Sequence, residues 1–574
     1  MNSEPTSEPS FTTPQDAVGG ADDFLFGADP IALFRSLADA GTALMANPAA
    51  VVAANLRLGM GLMAATRAAS ERALGGDTPG PAAPAAGDKR FTDEAFSENP
   101  AYFLLEQQYL LTCQMIYELL DAADLDATED AKARFGAKFV LDALSPTNTV
   151  MGNPTAMREA YDTGGESLVR GAQNMLDDLR DNGGWPSQVD SSGFELGVNM
   201  AATEGSVVYR SDLIELIEYA PQTKEVYSVP LLFCPAWINK YYISDLAPGK
   251  SLIEWALQHG QHCFAISYRN PDSSMRDLSF EDYWLKGPDD AVRVIREITG
   301  AKQVNTISIC LGGTLSAIGL ARNAANGDDS IKSATLLNTH TDFSVPGTLG
   351  VFTDEATIDG LEKQMAKNGY LAGDQMAHVF DTLRANDLIF SYVVNNWLLG
   401  KKPPAFDLLV WNKDSTRMPA AMHARYLRSC YQKNQFARGE FEFNGQKLDP
   451  GQVAIDTYIL SAIDDHIVPW VSGYKTTQLF SGECRYVLSN SGHIAGIVNP
   501  PNPKCRHWVF EGELPDDPVH WKELAQLVEG SWWEDWAKWI ATQGGDLVEA
   551  SAKLGSTEHP PIEPAPGSYV RTRA

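Results

Sequence analysis

Residues 305–321 read NTISICLGGTLSAIGLA, and the fold follows from how this stretch turns. Asn305 to Ile309 is a short run rich in β-branched residues, as expected of a buried strand, and the residues after Leu311 repeat apolar side chains at helical spacing. Between them Ser308, Gly312 and Gly313 leave little side-chain bulk around Cys310. A strand that turns sharply into a helix lifts the residue at the turn above the sheet, the arrangement called a nucleophile elbow. Ser308 stands where such turns usually begin with Gly, and Cys310 stands where serine is more common. Taken alone, the turn is also compatible with a structural cysteine buried in a Gly-rich segment.

The order of the later segments points to reactivity. TYILSAIDDHIVPW (457–470) places Asp464 and Asp465 at a strand end, and CRYVLSNSGHIAG (484–496) places His493 just after the next strand. Nucleophile, acid and histidine in that order are the arrangement of the α/β-hydrolase fold. Twenty-eight positions separate Asp465 from His493, enough for one helix and one strand. Both can therefore reach Cys310 from adjacent loops. Spacing does not choose between the two aspartates. His466, next to its own candidate acid, is expected to face elsewhere, and His259, His262, His340, His378, His423, His507, His520 and His559 lack such context. The backbone N–H of Leu311 is expected to serve as one oxyanion donor, with a second from the loop around Pro235-Ala236-Trp237.

Outward from the elbow, VPLLFC (229–234) and CFAISY (263–268) alternate with helical patterns such as SLIEWALQHG (251–260) and DDAVRVIREITG (289–300), which implies βαβ units and a mostly parallel sheet. The chain divides into three regions: residues 1–89, a flexible N-terminal region with Ala-rich helices and the linker GGDTPGPAAPAAGDK (75–89); residues 90–190, a helical domain; and residues 191–574, the catalytic domain. An aromatic-rich interruption at about 341–445 is expected as an inserted cap. Trp532, Trp536 and Trp539 fall at helical spacing and are expected to be core.

A net charge of −29 disfavours nucleic acid, whose binding draws on basic surface. It also means that any anionic substrate needs a local basic patch. Seven scattered cysteines without a CxxC pair suggest neither a disulfide framework nor a zinc site. No uninterrupted apolar run approaches the ~20 residues of a membrane span, and the N-terminus lacks a signal pattern, so a cytoplasmic protein is expected.

Several blocks carry a more specific resemblance: FCPAWINKYYISDLAPGKSLIEWALQHG (233–260), SYRNPDSSM (267–275), SICLGGTL (308–315), TYILSAIDDHIVPW, SGHIAGIVNPP (491–501) and EPAPGSYV (563–570), with NPAYFLLEQQYLL (99–111) and TGGESLVRG (163–171) before them. In order and content they resemble class I polyhydroxyalkanoate synthases. The resemblance implies Cys310 as the acyl-bearing nucleophile, His493 as its base and Asp465 as the third member. It further implies polymerisation of 3-hydroxyacyl groups from coenzyme A thioesters, short-chain ones such as 3-hydroxybutyryl, with coenzyme A released as product. No metal or other cofactor is expected. The implied partners are the growing polyester and its granule surface, and a second copy in a homodimer. A cysteine-nucleophile thioesterase or dienelactone hydrolase, and a non-enzymatic granule-binding protein, are the alternatives.

Overall fold

A computed structural model describes residues 30–573, with side chains from Arg35 onward; the mobility expected for residues 1–28 lies outside the described residues. Helix starts follow their capping residues. Asn47 accepts from Ala50 N–H ahead of Pro48, Asn99 accepts from Ala101 N–H ahead of Pro100, and Asp126 accepts from Thr128 and Glu129 N–H. The chain forms two compact units, one containing the described residues up to Thr163 together with His378–Val394, the other Gly164–Ala377 and the chain from Asn395 onward.

The first unit is helical: α1 (Pro30–Met45), α2 (Pro48–Ala73), α3 (Pro100–Ala122) and α4 (Ala127–Ala143). Helix α2 packs along α3, and α1 along α4. Ala65 of α2 joins Phe91, Phe96, Leu110 and Leu111 in one cluster. The stretch expected as a linker is held in place. Gln107 of α3 accepts from Ala82 N–H at 2.9 Å and donates to Ala82 C=O at 2.8 Å, while Arg90 bridges Asp88 and Asp142 at 2.9 and 3.0 Å. Pro-rich composition signals a non-helical path, and these contacts fix that path. On the other side of α2, Val52, Leu56, Met60 and Met63 are exposed. By length and composition α2 is apolar enough to cross a membrane. It forms no uninterrupted apolar run, because Asn55 and Arg57 interrupt it.

The second unit is built on an eleven-stranded sheet. Numbered along the chain, its strands are β1 (Gly205–Arg210), β2 (Ile214–Tyr219), β3 (Leu231–Cys234), β4 (Cys263–Tyr268), β5 (Val304–Ile309), β6 (Ile331–Leu337), β7 (Asp456–Ala462), β8 (Cys484–Ser489), β9 (Arg506–Val509), β10 (Gln526–Glu529) and β11 (Glu563–Pro564). Their spatial order is β10-β9-β8-β7-β6-β5-β3-β4-β2-β1-β11. From β8 to β4 every neighbour is parallel, and both flanks are antiparallel. Strands β3 to β5 are buried at every position, as a sheet covered on both faces requires. Register aligns the carboxyl ends: Cys234 with Ser308, Ile309 with Leu337, Leu337 with Leu460, and Ala462 with Ser489. The loops after β3, β5, β6, β7 and β8 thus leave one sheet edge, where open α/β sheets place ligands. The insertion occupies residues 338–455, between β6 and β7. It is mainly helical, including Glu355–Asn368, Asp407–Lys413 and Ala420–Tyr426.

Candidate active site

Cys310 follows β5 and precedes helix α5 (Leu311–Ala325), with φ 52° and ψ −118°. This conformation is costly for any residue with a Cβ, about 1–3 kcal/mol, and persists only where surroundings impose it. Here they do. Cys310 N–H donates to Leu337 C=O at 2.8 Å, tying the turn to β6, and Gly313 N–H donates back to Cys310 C=O at 2.9 Å. The glycines answer to space: a Cβ on Gly312 would lie 2.5 Å from Pro235 O, and one on Gly313 only 1.9 Å from Thr339 Oγ1. Ser308 fits because its hydroxyl pairs with Ser316 Oγ at 2.8 Å, so the buried polar atom is satisfied.

Asp465 and His493 come from the loops after β7 and β8. Asp465 Oδ2 lies 2.6 Å from His493 Nδ1, while Oδ1 accepts from Ile467 and Val468 N–H, both at 2.9 Å. Asp464 is exposed, with its N–H donating to Ser491 C=O. The carboxylate beside His493 is therefore that of Asp465. The His466 carbonyl accepts from Thr348 N–H at 3.1 Å. Burial disfavours a charged His493, but the Asp465 carboxylate and the nearby Cys310 sulfur outweigh it, holding the imidazole well above the ordinary histidine range. His493 and Asp465 thus form a buried hydrogen-bonded pair, and Cys310 lies close enough to act on the charge of the imidazole. Leu311 is the first residue of α5, where helix geometry leaves N–H groups without intrahelical partners. The Pro235 loop lies against that same turn.

Supporting residues around this set were not singled out by sequence. Asn338 Nδ2 donates to His493 C=O. His340 lies between elements, its ring nitrogens 2.9 Å from Ser472 Oγ and 3.1 Å from the Ile467 carbonyl oxygen, which braces the Asp465 loop. Burial pushes its pKa down to about 4, so the ring is neutral. Helix α6 (Trp532–Gln543) braces the histidine: the indole N–H groups of Trp532 and Trp533 donate to Gly496 and Ile497 C=O at 2.8 and 2.9 Å. Trp532 and Trp536 are fully buried, as a core stripe requires, and Trp539 packs on the same core. From the insertion, Tyr426 and Tyr431 pack against each other and Phe343, and burial together with the Cys310 sulfur keeps the Tyr431 phenol protonated. Asp245 is buried and bound by Thr203, and Arg269 pairs with Asp272 at 2.5 Å, which are structural roles. Among the described residues no group of three or more His, Cys, Asp or Glu is arranged to hold a metal ion.

Sheet order, elbow and the loops that converge on it define an α/β-hydrolase-fold protein, and residues 229–500 match the family described as alpha/beta hydrolase fold. Residues 87–256 match that described as Poly-beta-hydroxybutyrate polymerase (PhaC) N-terminus. The chain is 42% identical to a poly(3-hydroxyalkanoate) polymerase of Methylorubrum extorquens over 94% of its own length and 90% of that protein. It is also 40% identical to the poly(3-hydroxyalkanoate) polymerase subunit PhaC of Cupriavidus necator, over 85% and 83%. This protein belongs to the poly(3-hydroxyalkanoate) polymerase family and is an acyltransferase.

Proposed function

We propose that the chain polymerises short-chain 3-hydroxyacyl groups, such as 3-hydroxybutyryl, from coenzyme A thioesters through a covalent acyl-Cys310, with His493 as base and Asp465 as the group that orients it. The observation carrying this reading is a cysteine at the elbow linked to a buried His493–Asp465 pair. A thiolate takes an acyl group from a thioester with little change in bond energy, so the acyl-enzyme stays activated for transfer to an alcohol. His493 draws the Cys310 proton, as in other Cys–His pairs, and the thiolate attacks the thioester carbonyl. The oxyanion forms beside Leu311 N–H and the Pro235 loop, and coenzyme A leaves as a thiol.

In the second half-reaction the hydroxyl of another monomer or of the chain end attacks the acyl-cysteine. Both Asp465 oxygens are already occupied, one by His493 and one by two backbone N–H groups, which favours His493 as the group taking the hydroxyl proton. No cofactor enters this scheme. The family resemblance supports a homodimer working at the surface of cytoplasmic polyester granules, and the exposed apolar side chains of α2 suit such a surface. Incubating the purified protein with 3-hydroxybutyryl-CoA while following free thiol and insoluble polyester tests the reading. Both should rise together. Thiol release without polymer would instead indicate a hydrolase.

A further inference from the structure

His340 follows shortly after β6, which ends at Leu337. Its backbone is fixed to the elbow helix, where the Thr314 hydroxyl donates to His340 C=O at 2.7 Å, and its ring stacks on Phe343 with 4.8 Å between centroids. Neither contact needs an imidazole. The ring nitrogens do more: Nε2 lies 3.1 Å from the Ile467 carbonyl oxygen and Nδ1 lies 2.9 Å from Ser472 Oγ, on the helix Trp470–Tyr474. A carbonyl only accepts, so Nε2 carries the proton. With the ring neutral, Nδ1 is an acceptor facing the Ser472 hydroxyl, whose single proton also has Asp342 C=O within 2.6 Å. The titratable groups around the ring are Asp465 and His493, Tyr431 at 6.1 Å between centroids, and Asp342, whose carboxylate is taken up by Ser344 N–H, Asn434 and Lys475.

The Ile467 carbonyl belongs to the peptide group whose N–H is that of Val468. That N–H donates to Asp465 Oδ1 at 2.9 Å, and Asp465 Oδ2 accepts from His493 Nδ1 at 2.6 Å. The other N–H on Oδ1, that of Ile467, is backed in the same way, since the carbonyl of its peptide group accepts from Thr348 N–H at 3.1 Å. A donor on a peptide oxygen polarises the amide and makes its N–H a better donor, an effect that grows in a buried, low-dielectric setting. The more firmly Val468 N–H holds the carboxylate, the less negative charge Asp465 brings to bear on the imidazole. Resting on the proposed roles of Cys310, His493 and Asp465, we infer that His340 is a positioning residue for the reaction: through the 467–468 peptide it disperses the charge of Asp465 and limits how tightly His493 keeps its proton. In the proposed cycle His493 takes a proton from the Cys310 thiol and passes it to the departing coenzyme A sulfur. It then takes one from the attacking hydroxyl and passes it to the Cys310 sulfur as the new ester forms. Each transfer needs an imidazole that gives up its proton as readily as it takes one.

The test is the pH dependence of Cys310 labelling by iodoacetamide, read on the peptide that contains it, in the full-length wild type, His340→Gln, His340→Asn and His340→Met. A glutamine amide nitrogen reaches the place of Nε2 and can donate to Ile467 C=O; an asparagine amide reaches only that of Nδ1, and methionine fills the space without a donor. In a Cys–His pair the labelling rate has an upper inflection that reports loss of the imidazolium proton. In the asparagine and methionine variants that inflection should move up by about 0.3 pH, and kcat for 3-hydroxybutyryl-CoA at neutral pH should fall about twofold with KM little changed. His340→Gln should return the inflection to the wild-type position. An inflection that stays in place in whichever donor-lacking variant folds, or that moves equally in His340→Gln, overturns the inference and leaves His340 a packing residue. A wild-type profile showing only the single ionisation of an ordinary free thiol overturns the Cys310–His493 reading itself.

Discussion

Cys310 sits at a positive φ that favours glycine, held there by hydrogen bonds to β6 and to Gly313. That strain gives a measurable signature: Cys310→Gly should be more stable than Cys310→Ala by about 1 kcal/mol in chemical denaturation, although neither should release coenzyme A. A local pattern of small residues foretells a tight turn, but not its dihedral angles. His493 offers a second test. Its folded pKa is raised, so the stabilisation from its charged pairing with Asp465 is complete below the ordinary histidine value near 6.5 and fades as pH rises through the folded value. Asp465→Asn should therefore destabilise most below pH 6.5, by about 3 kcal/mol, and the gap to wild type in unfolding midpoint should narrow in alkali. A gap independent of pH would mean that His493 is neutral throughout. Spacing alone could not choose between Asp464 and Asp465, because one residue decides which side chain turns toward the histidine and which toward solvent. Only the loop path after β7 settles that, with Asp464 N–H tied to Ser491.

Among the elements, the strand, turn and helix of the elbow and the parallel strands beside it were legible because β-branched runs and helical periodicity are local signals. The antiparallel flanks β9, β10 and β11 were not, since each is short and its pairing partner is fixed by the completed sheet. The same holds for α6. Its tryptophans read as a core stripe, and so they are, but their indole N–H bonds to the helix beginning at His493 link positions about 36 residues apart. Trp532→Phe keeps most of the packing and removes one bond to Gly496, so a loss near 1 kcal/mol in stability is expected, together with slower acylation as His493 loses support. Acylation at the parental rate would show that the brace is not needed for catalysis. Gly313→Ala is the harsher change. Thr339 is buried, β-branched and bound to both Cys310 and Leu337 C=O, so it cannot yield to a new Cβ, and Cys310 labelling should fall by more than tenfold.

At the scale of the whole molecule, composition suggested an N-terminal appendage, yet residues 75–89 and α2 are bound into the helical unit by Gln107, Arg90 and the Ala65 cluster. Deleting residues 1–89 would bare Phe96, Leu110 and Leu111, and the truncated protein is expected to aggregate or to melt several degrees earlier. Full solubility and an unchanged melting point would show that α3 and α4 form a sufficient core without α2. Distributed charge was equally hidden from composition: Lys413, Arg417, Arg571 and Arg573 gather in one cleft of a chain whose overall balance is strongly acidic. Whether Cys310 carries the growing ester is read by rapid quench of the protein with 3-hydroxybutyryl-CoA followed by peptide mapping. A 3-hydroxybutyryl adduct is expected on the peptide containing Cys310, formed no later than the first polymer and absent from Cys310→Ala, which makes none. Polymer from Cys310→Ala at the parental rate, or a kinetically competent adduct on another residue, would contradict it.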